Sequence, residues 1–270
     1  MSSKTLAEFI AEHELFRFEE AVAALKKHTT AASIAVGLNY HVGKKHLVRL
    51  RRGLYCHDPR KIDVWQVASK VTSDAVIAYD SALRFHFSPG AVGHELQVLS
   101  EERLSHFVFD DCVFRAIRLH KHRLRHELSD YPAGEGILDV EHQGMKVRLV
   151  SRERAFVDCL DRPDLTEGLE DVAALFFKQR NLRPDALYYA AYANKSAICA
   201  ARLGLFMQSH RQLHMAVSTI ELLMKLKPRT PTVFDPAHKS GLCATHWNAI
   251  LPDWFIELRG HRHHVEPRLL

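Results

Sequence analysis

The stretch "HLVRLRRGLYCH" at residues 46–57 decides how the first part of this chain is read. Leu47, the region of Leu50, and Leu54 to Tyr55 predict two short strands, with Gly53 at the turn between them. Arg49, Arg51 and Arg52 are concentrated in that hairpin, and no carboxylate stands beside them in the sequence. Residues 29–57 contain five Lys and Arg and no acid at all. Lys and Arg also occur on plain edge strands, where they block pairing with other chains. That role ordinarily leaves acids nearby, and here there are none.

Upstream, three helical stretches precede the hairpin. Thr5-Leu6-Ala7-Glu8 fits a capping box, followed at helical spacing by Leu6, Phe9, Ile10 and His13. Phe18, Val22 and Leu25 mark one face of a second helix, closed by cations near Lys26 and Lys27. Thr29 or Thr30 caps a third, "AASIAVGLNYHV", whose apolar positions Ile34, Val36, Leu38 and Val42 fit one face less cleanly. Gly37 and Gly43 each weaken that helix by about 1 kcal/mol relative to Ala. Three helices and then a hairpin is the order of a winged helix-turn-helix. In that module the third helix enters the major groove and the wing lies over the adjacent phosphates. The expected base-reading residues are Ser33, Asn39, Tyr40 and His41. The expected phosphate-gripping residues are Lys44, Lys45, Arg49, Arg51 and Arg52.

Charge supports this division. Residues 1–61 hold eleven Lys and Arg against six Asp and Glu, an excess of five that equals the whole formal charge of +5. The remainder balances at 26 of each. A localised excess points to an anionic partner on that segment, here double-stranded DNA.

Beyond the linker-like "CHDPRKID" the pattern mixes strands and helices. Val64 to Val71 predicts a helix, "AVIAY" a buried strand, and "SALRFHF" a helix capped at Asp80 or Ser81. "ELQVL", "HFVF" and "CVFRAIRL" predict strands, and "GILDVEHQGMKVRLV" a hairpin turning at Gln143-Gly144. The C-terminal half predicts helices over 153–160, 169–177, 185–192, 197–209 and 216–226. Arg154 and Asp158 are spaced to face each other one turn apart. The expected class is α+β, with a winged helix-turn-helix at 1–61 and a larger domain at 64–270.

The chemistry-bearing templates fail. The chain has no phosphate loop, no G-x-G-x-x-G, no G-x-S-x-G and no H-E-x-x-H. Asp110-Asp111 and Glu101-Glu102 are adjacent on strand-like segments, so their side chains would point to opposite faces rather than to one metal ion. The five cysteines (Cys56, Cys112, Cys159, Cys199, Cys243) lack C-x-x-C spacing and are expected to be reduced and mainly buried. His210 and His214 are four apart, but the helix is expected to end near Ser209. His120, His122 and His126 predict a solvated basic face, and His261, His263 and His264 crowd a tail. The expectation is therefore a non-enzyme with no cofactor and no metal. No apolar run approaches the roughly 20 residues that span a bilayer. The N-terminal stretch is amphipathic and acidic rather than signal-like, which predicts a cytoplasmic protein with no membrane contact.

Five segments carry a further likeness: "LVRLRRGLY" at 47–55, "VIAYDSALRFH" at 76–86, "VSRERAFVDCLDRPDLTEGLEDVAALF" at 150–176, "ARLGLFMQ" at 201–208 and "FDPAHKSGLCATHWNAILP" at 234–252. In this order they resemble the AbiEi family, the antitoxins of bacterial abortive-infection toxin–antitoxin systems. The resemblance implies an N-terminal winged helix that represses its own promoter by binding an inverted repeat, as a dimer or as adjacent monomers. It also implies a C-terminal domain that counteracts a cognate nucleotidyltransferase-like toxin, with or without stable contact. Ser81, Arg152, Arg154 and Asp158 are the corresponding candidates for antitoxicity. A regulator without a toxin partner, or a nucleic-acid-processing enzyme, would be the alternative.

Overall fold

A computed structural model of the chain describes residues 5–27, 29–88, 90–118 and 136–260. The chain forms two compact units. The first comprises Met1–Ile77, Pro89–Lys121 and Asp139–Leu149, and the expected linker lies inside it. The second comprises Ala78–Ser88, His122–Leu138 and Val150–Leu270.

The first unit opens with helix α1 (Leu6–Glu12). Its capping box forms as expected: Thr5 Oγ1 accepts from the Glu8 N–H at 3.2 Å, and the Glu8 carboxylate accepts from the Thr5 N–H at 2.7 Å. Strand β1 (Leu15–Arg17) follows, then α2 (Phe18–Leu25) and α3 (Ala31–Gly43). Thr30 rather than Thr29 caps α3, accepting from the Ser33 N–H at 3.2 Å. Strand β1 was not expected, because three residues are too few to display a two-residue period.

Ile34 and Leu38 of α3 pack with Phe9, Ile10, Phe16, Ala21, Leu25, Leu47 and Tyr55 in one apolar core. Val36 departs from the apolar expectation and faces solvent, 70% exposed. Gly37 has a packing reason. A Cβ there would stand 2.5 Å from Leu6 Cδ2, so the glycine lets α1 lie close against α3.

The wing consists of β2 (Val48–Arg51) and β3 (Leu54–Cys56). Gly53, at φ +80°, takes the left-handed turn position. These strands and β1 form an antiparallel sheet in the order β1-β3-β2, with a register irregularity between Arg49 and Arg51.

Helix α4 (Val64–Lys70), capped by Asp63, leads to a six-stranded sheet. Its strands are β4 (Val76–Ile77), β5 (Glu95–Ser100), β6 (Phe107–Phe109), β7 (Cys112–Arg118), β8 (Ile137–His142) and β9 (Met145–Val150), in the order β6-β7-β5-β4-β9-β8. The hairpin at Gln143-Gly144 forms as read, with φ of +48° and +76°. Asp110 and Asp111, at φ +50° and +58°, make the two-residue turn between β6 and β7. Paired positive φ values match the right-handed twist of the flanking strands. Both aspartates are exposed, as expected of turn residues.

The second unit contains α5 (Tyr79–Phe87), α6 (Arg152–Asp161), α7 (Leu169–Phe176), α8 (Pro184–Asn194), α9 (Ala197–Ser209), α10 (Val217–Met224) and α11 (Asp253–Gly260). It also holds a small sheet of β10 (Thr232–Val233), β11 (Leu242–Ala244) and β12 (Ala249–Leu251), which was not expected. Capping of α5 by Asp80 or Ser81 is corrected. The helix begins at Tyr79, Ala78 is its cap residue without a side-chain bond, and Ser81 is buried within the first turn. Asp80 instead pairs with Arg84 at 2.6 Å.

Candidate nucleic-acid interface

Helix α3 buries Ile34 and Leu38, and this fixes what its other face presents. Ala32, Ser33, Val36, Asn39, Tyr40 and Gly43 form an exposed stripe at helical spacing. No residue of α3 is Asp, Glu, Lys or Arg. A solvent-facing helical stripe ordinarily carries charge. Ser33 Oγ lies 3.0 Å from Thr30 Oγ1 at the helix start. Asn39 projects freely, while the Tyr40 ring lies 5.8 Å beneath the Lys44 ammonium and meets His41 edge-on. His41 is only half-exposed, and its ring stands 5.7 Å from that of His46. Its Nδ1 is buried without a hydrogen-bond partner.

The cations lie on both sides of this neutral stripe. Lys26 and Lys27 precede α3 and are exposed, and Lys44 and Lys45 follow it, also exposed. Lys45 takes a left-handed conformation at φ 60°, which turns the chain from α3 into the wing. Arg49 and Arg52 extend into solvent from the hairpin.

Arg51 does something different from its neighbours. Its Nη1 donates to the Val71 carbonyl at 2.7 Å, and its guanidinium sits 5.7 Å over the Phe107 ring. Burial and the adjacent Arg17 push its pKa down, partly offset by Glu102. An acid about fifty residues away in sequence therefore faces the arginine whose local sequence holds none. Arg17 donates to the Lys70 carbonyl at 3.0 Å and lies 4.0 Å from Glu102, and Lys70 pairs with Glu20. These bonds tie the wing and its partner strand to the end of α4 and to β6.

The C-terminal candidates separate. Arg154 and Asp158 face each other at 3.3 Å in α6, both buried, as their spacing predicts. Asn194 donates to the second Asp158 oxygen at 3.4 Å. Burial pushes the Asp158 pKa up against the pull of Arg154 and Asn194. Ser81 is buried on α5, whereas Arg152 is exposed. Beside them Tyr79 starts α5 at φ +53°, a left-handed conformation rare for a bulky residue. Sequence reasoning had no signal for it.

Four cysteines are free and buried, and Cys243 is free and exposed. Among the described residues, no group of three or more His, Cys, Asp or Glu is arranged to hold a metal ion. His210 is buried with Nε2 2.8 Å from the Gln179 carbonyl, and α9 ends at Ser209 as expected. His120, His122, His126, His261, His263 and His264 lie outside the described residues. Among the described residues, no helix is long and apolar enough to cross a membrane.

A three-helix core, a wing paired to β1 and a third helix with an open face define a winged helix-turn-helix, a class of DNA-binding module. Residues 4–56 match the family described as transcriptional regulator, AbiEi antitoxin, a likeness that covers the helices and wing of the N-terminal segment. The crystal structure of the RV2827C protein from Mycobacterium tuberculosis is similar across 94% of this chain and 93% of that one. The TM-score is 0.51 at 13% identity, a likeness of fold. No curated protein sequence matches the chain.

Proposed function

We propose that the protein represses transcription from its own promoter and acts as an antitoxin against a cognate nucleotidyltransferase-like toxin. The observation that carries the DNA-binding part is the neutral, exposed stripe of α3 bracketed by exposed Lys44, Lys45, Arg49 and Arg52. In this reading Ser33, Asn39 and Tyr40 face base edges, with His41 at the margin. The four cations neutralise phosphates. Arg51 holds the wing in place through Val71 and Phe107 rather than gripping DNA. Two copies on an inverted repeat would place half-sites about one helical turn apart.

The AbiEi match supports the regulator and antitoxin role, and the cytoplasm is where both would operate. The functional division we propose runs from a DNA-binding segment at 1–61 to an effector segment at 64–270. Ser81, Arg152, Arg154 and Asp158 are its first residues to test, and the protein acts without a catalytic step or cofactor. A mobility-shift titration of the full chain against its own upstream DNA, across salt concentrations, tests the reading. Binding that weakens steeply with salt is expected. No shift at low salt would refute it.

A further inference from the structure

We propose that α3 reads thymine, with Val36 contacting the C5-methyl of a T·A pair in the major groove and Asn39 pairing with an adjacent adenine. This rests on the DNA-binding reading above and specifies its ligand. The starting observation is that Val36, 70% exposed, is the most exposed large apolar side chain of α3. It lies at the middle of the stripe, one turn after Ser33 and one turn before Tyr40. A β-branched side chain gains nothing from water there and lowers helix propensity slightly.

Charge on either side of α3 says what covers it. The helix is uncharged, whereas Lys26, Lys27, Lys44 and Lys45 stand beyond its two ends, all exposed. Thirteen residues at helical rise extend roughly 20 Å, more than the roughly 12 Å width of the major groove. The lysines therefore reach the flanking phosphates while the neutral middle meets base edges. A protein partner chosen by this surface would need an acidic rim around an apolar centre. Duplex DNA supplies that arrangement at every A·T pair, since thymine is the one base carrying a methyl in the groove.

The neighbouring side chains sort the roles. Tyr40 is engaged by the Lys44 ammonium and by the His41 ring, which leaves Val36 as the unengaged apolar group. Asn39 is exposed three residues on, and its carboxamide matches the N6 and N7 edge of adenine. Ala32 and Gly43 at the ends of the stripe are small enough for close approach to the groove. The ligand class is a duplex with an A·T-containing core in each half-site.

The test works without a known operator sequence. Full-length protein selects duplexes from a pool with a randomised core, and each thymine of the enriched duplex is then replaced singly by deoxyuridine, which removes only the methyl. One replacement is expected to weaken binding about fourfold, the size of one lost methyl contact. Val36→Ala should bind the thymine and uracil duplexes equally, with a thermal midpoint that does not fall, because the site is exposed and Ala is the better helix former. Equal uracil effects at every position, or the same uracil penalty in Val36→Ala as in wild type, would overturn the proposal. Salt-dependent binding without sequence enrichment would overturn it and leave the DNA-binding reading intact. Absence of binding to any duplex would overturn both. A Val36→Ala protein with altered oligomeric state and unaltered DNA affinity would reassign the face to protein association.

Discussion

The three arginines of the wing differ in their surroundings more than in their sequence. Arg49 and Arg52 point into solvent, while Arg51 is anchored on Val71 and Phe107. Replacing Arg49 or Arg52 by Ala is expected to lower the log–log salt slope of DNA binding by about 0.9 per lost phosphate contact. Arg51→Ala is expected to weaken binding while leaving that slope unchanged, because it loosens the wing without removing a phosphate contact. Fluorescence anisotropy across a salt series separates the two. The cysteines offer a second residue-level check. Burial, aided by nearby Asp58 and Glu14, pushes the Cys56 thiol up to about 12, and burial with Glu95 and Asp110 pushes Cys112 up to about 11. Burial raises Cys159 and Cys199 as well. A thiol reagent near pH 8 should therefore label Cys243 alone among the five in the native protein. Stoichiometric native labelling of Cys56 would contradict the packing of β3.

At the scale of elements, the two C-terminal sequence blocks that carried the AbiEi resemblance meet in space. A Cβ on Gly204 of α9 would lie 2.0 Å from Trp247 Cη2, with two further ring carbons inside 2.6 Å. Trp247 is fully buried, and its Nε1 donates to Gln208 at 2.8 Å. Gly204→Ala would gain about 1 kcal/mol of helix propensity but overpack the core at a cost of about 1–3 kcal/mol or more. The net expectation is a lower urea midpoint with unchanged m, and a smaller loss in a Trp247→Leu background. Helix boundaries here were legible because Leu, Val and Phe recur at helical spacing. Val36 was not legible, since an apolar residue within a helix looks like core until the packing of its neighbours is known. Strands β1, β10, β11 and β12 were missed for a related reason. Segments of two or three residues are held by their partners in the sheet and carry no period of their own.

At the scale of the whole molecule, the positive excess lies in residues 1–61 and the remainder is balanced, in keeping with the proposed division of work between the two ends of the chain. Under the proposed function those activities are separable. Arg49→Ala with Arg52→Ala should abolish repression of a promoter reporter and leave protection from a co-expressed cognate nucleotidyltransferase intact. Arg152→Ala, at an exposed position, should do the reverse. Arg154 and Asp158 are poorer probes, because removing one partner of a buried ion pair costs about 3–5 kcal/mol of stability. Coincident loss of both activities in Arg152→Ala would argue against that division.

Sequence by itself determined the order of three helices and a hairpin, the localised positive charge, the Thr5 capping box and the Gln143-Gly144 turn. Each depends on residues close together in the chain: a cap and its N–H three residues on, a turn and its φ, a charge count over a segment. Only the tertiary structure decided that Arg51 bonds the Val71 carbonyl, that Glu102 faces it, that Gly37 admits Leu6 and that Val36 stands in the open. Those outcomes depend on which distant segments pack together, and burial of one helix face determines what the other is left to present.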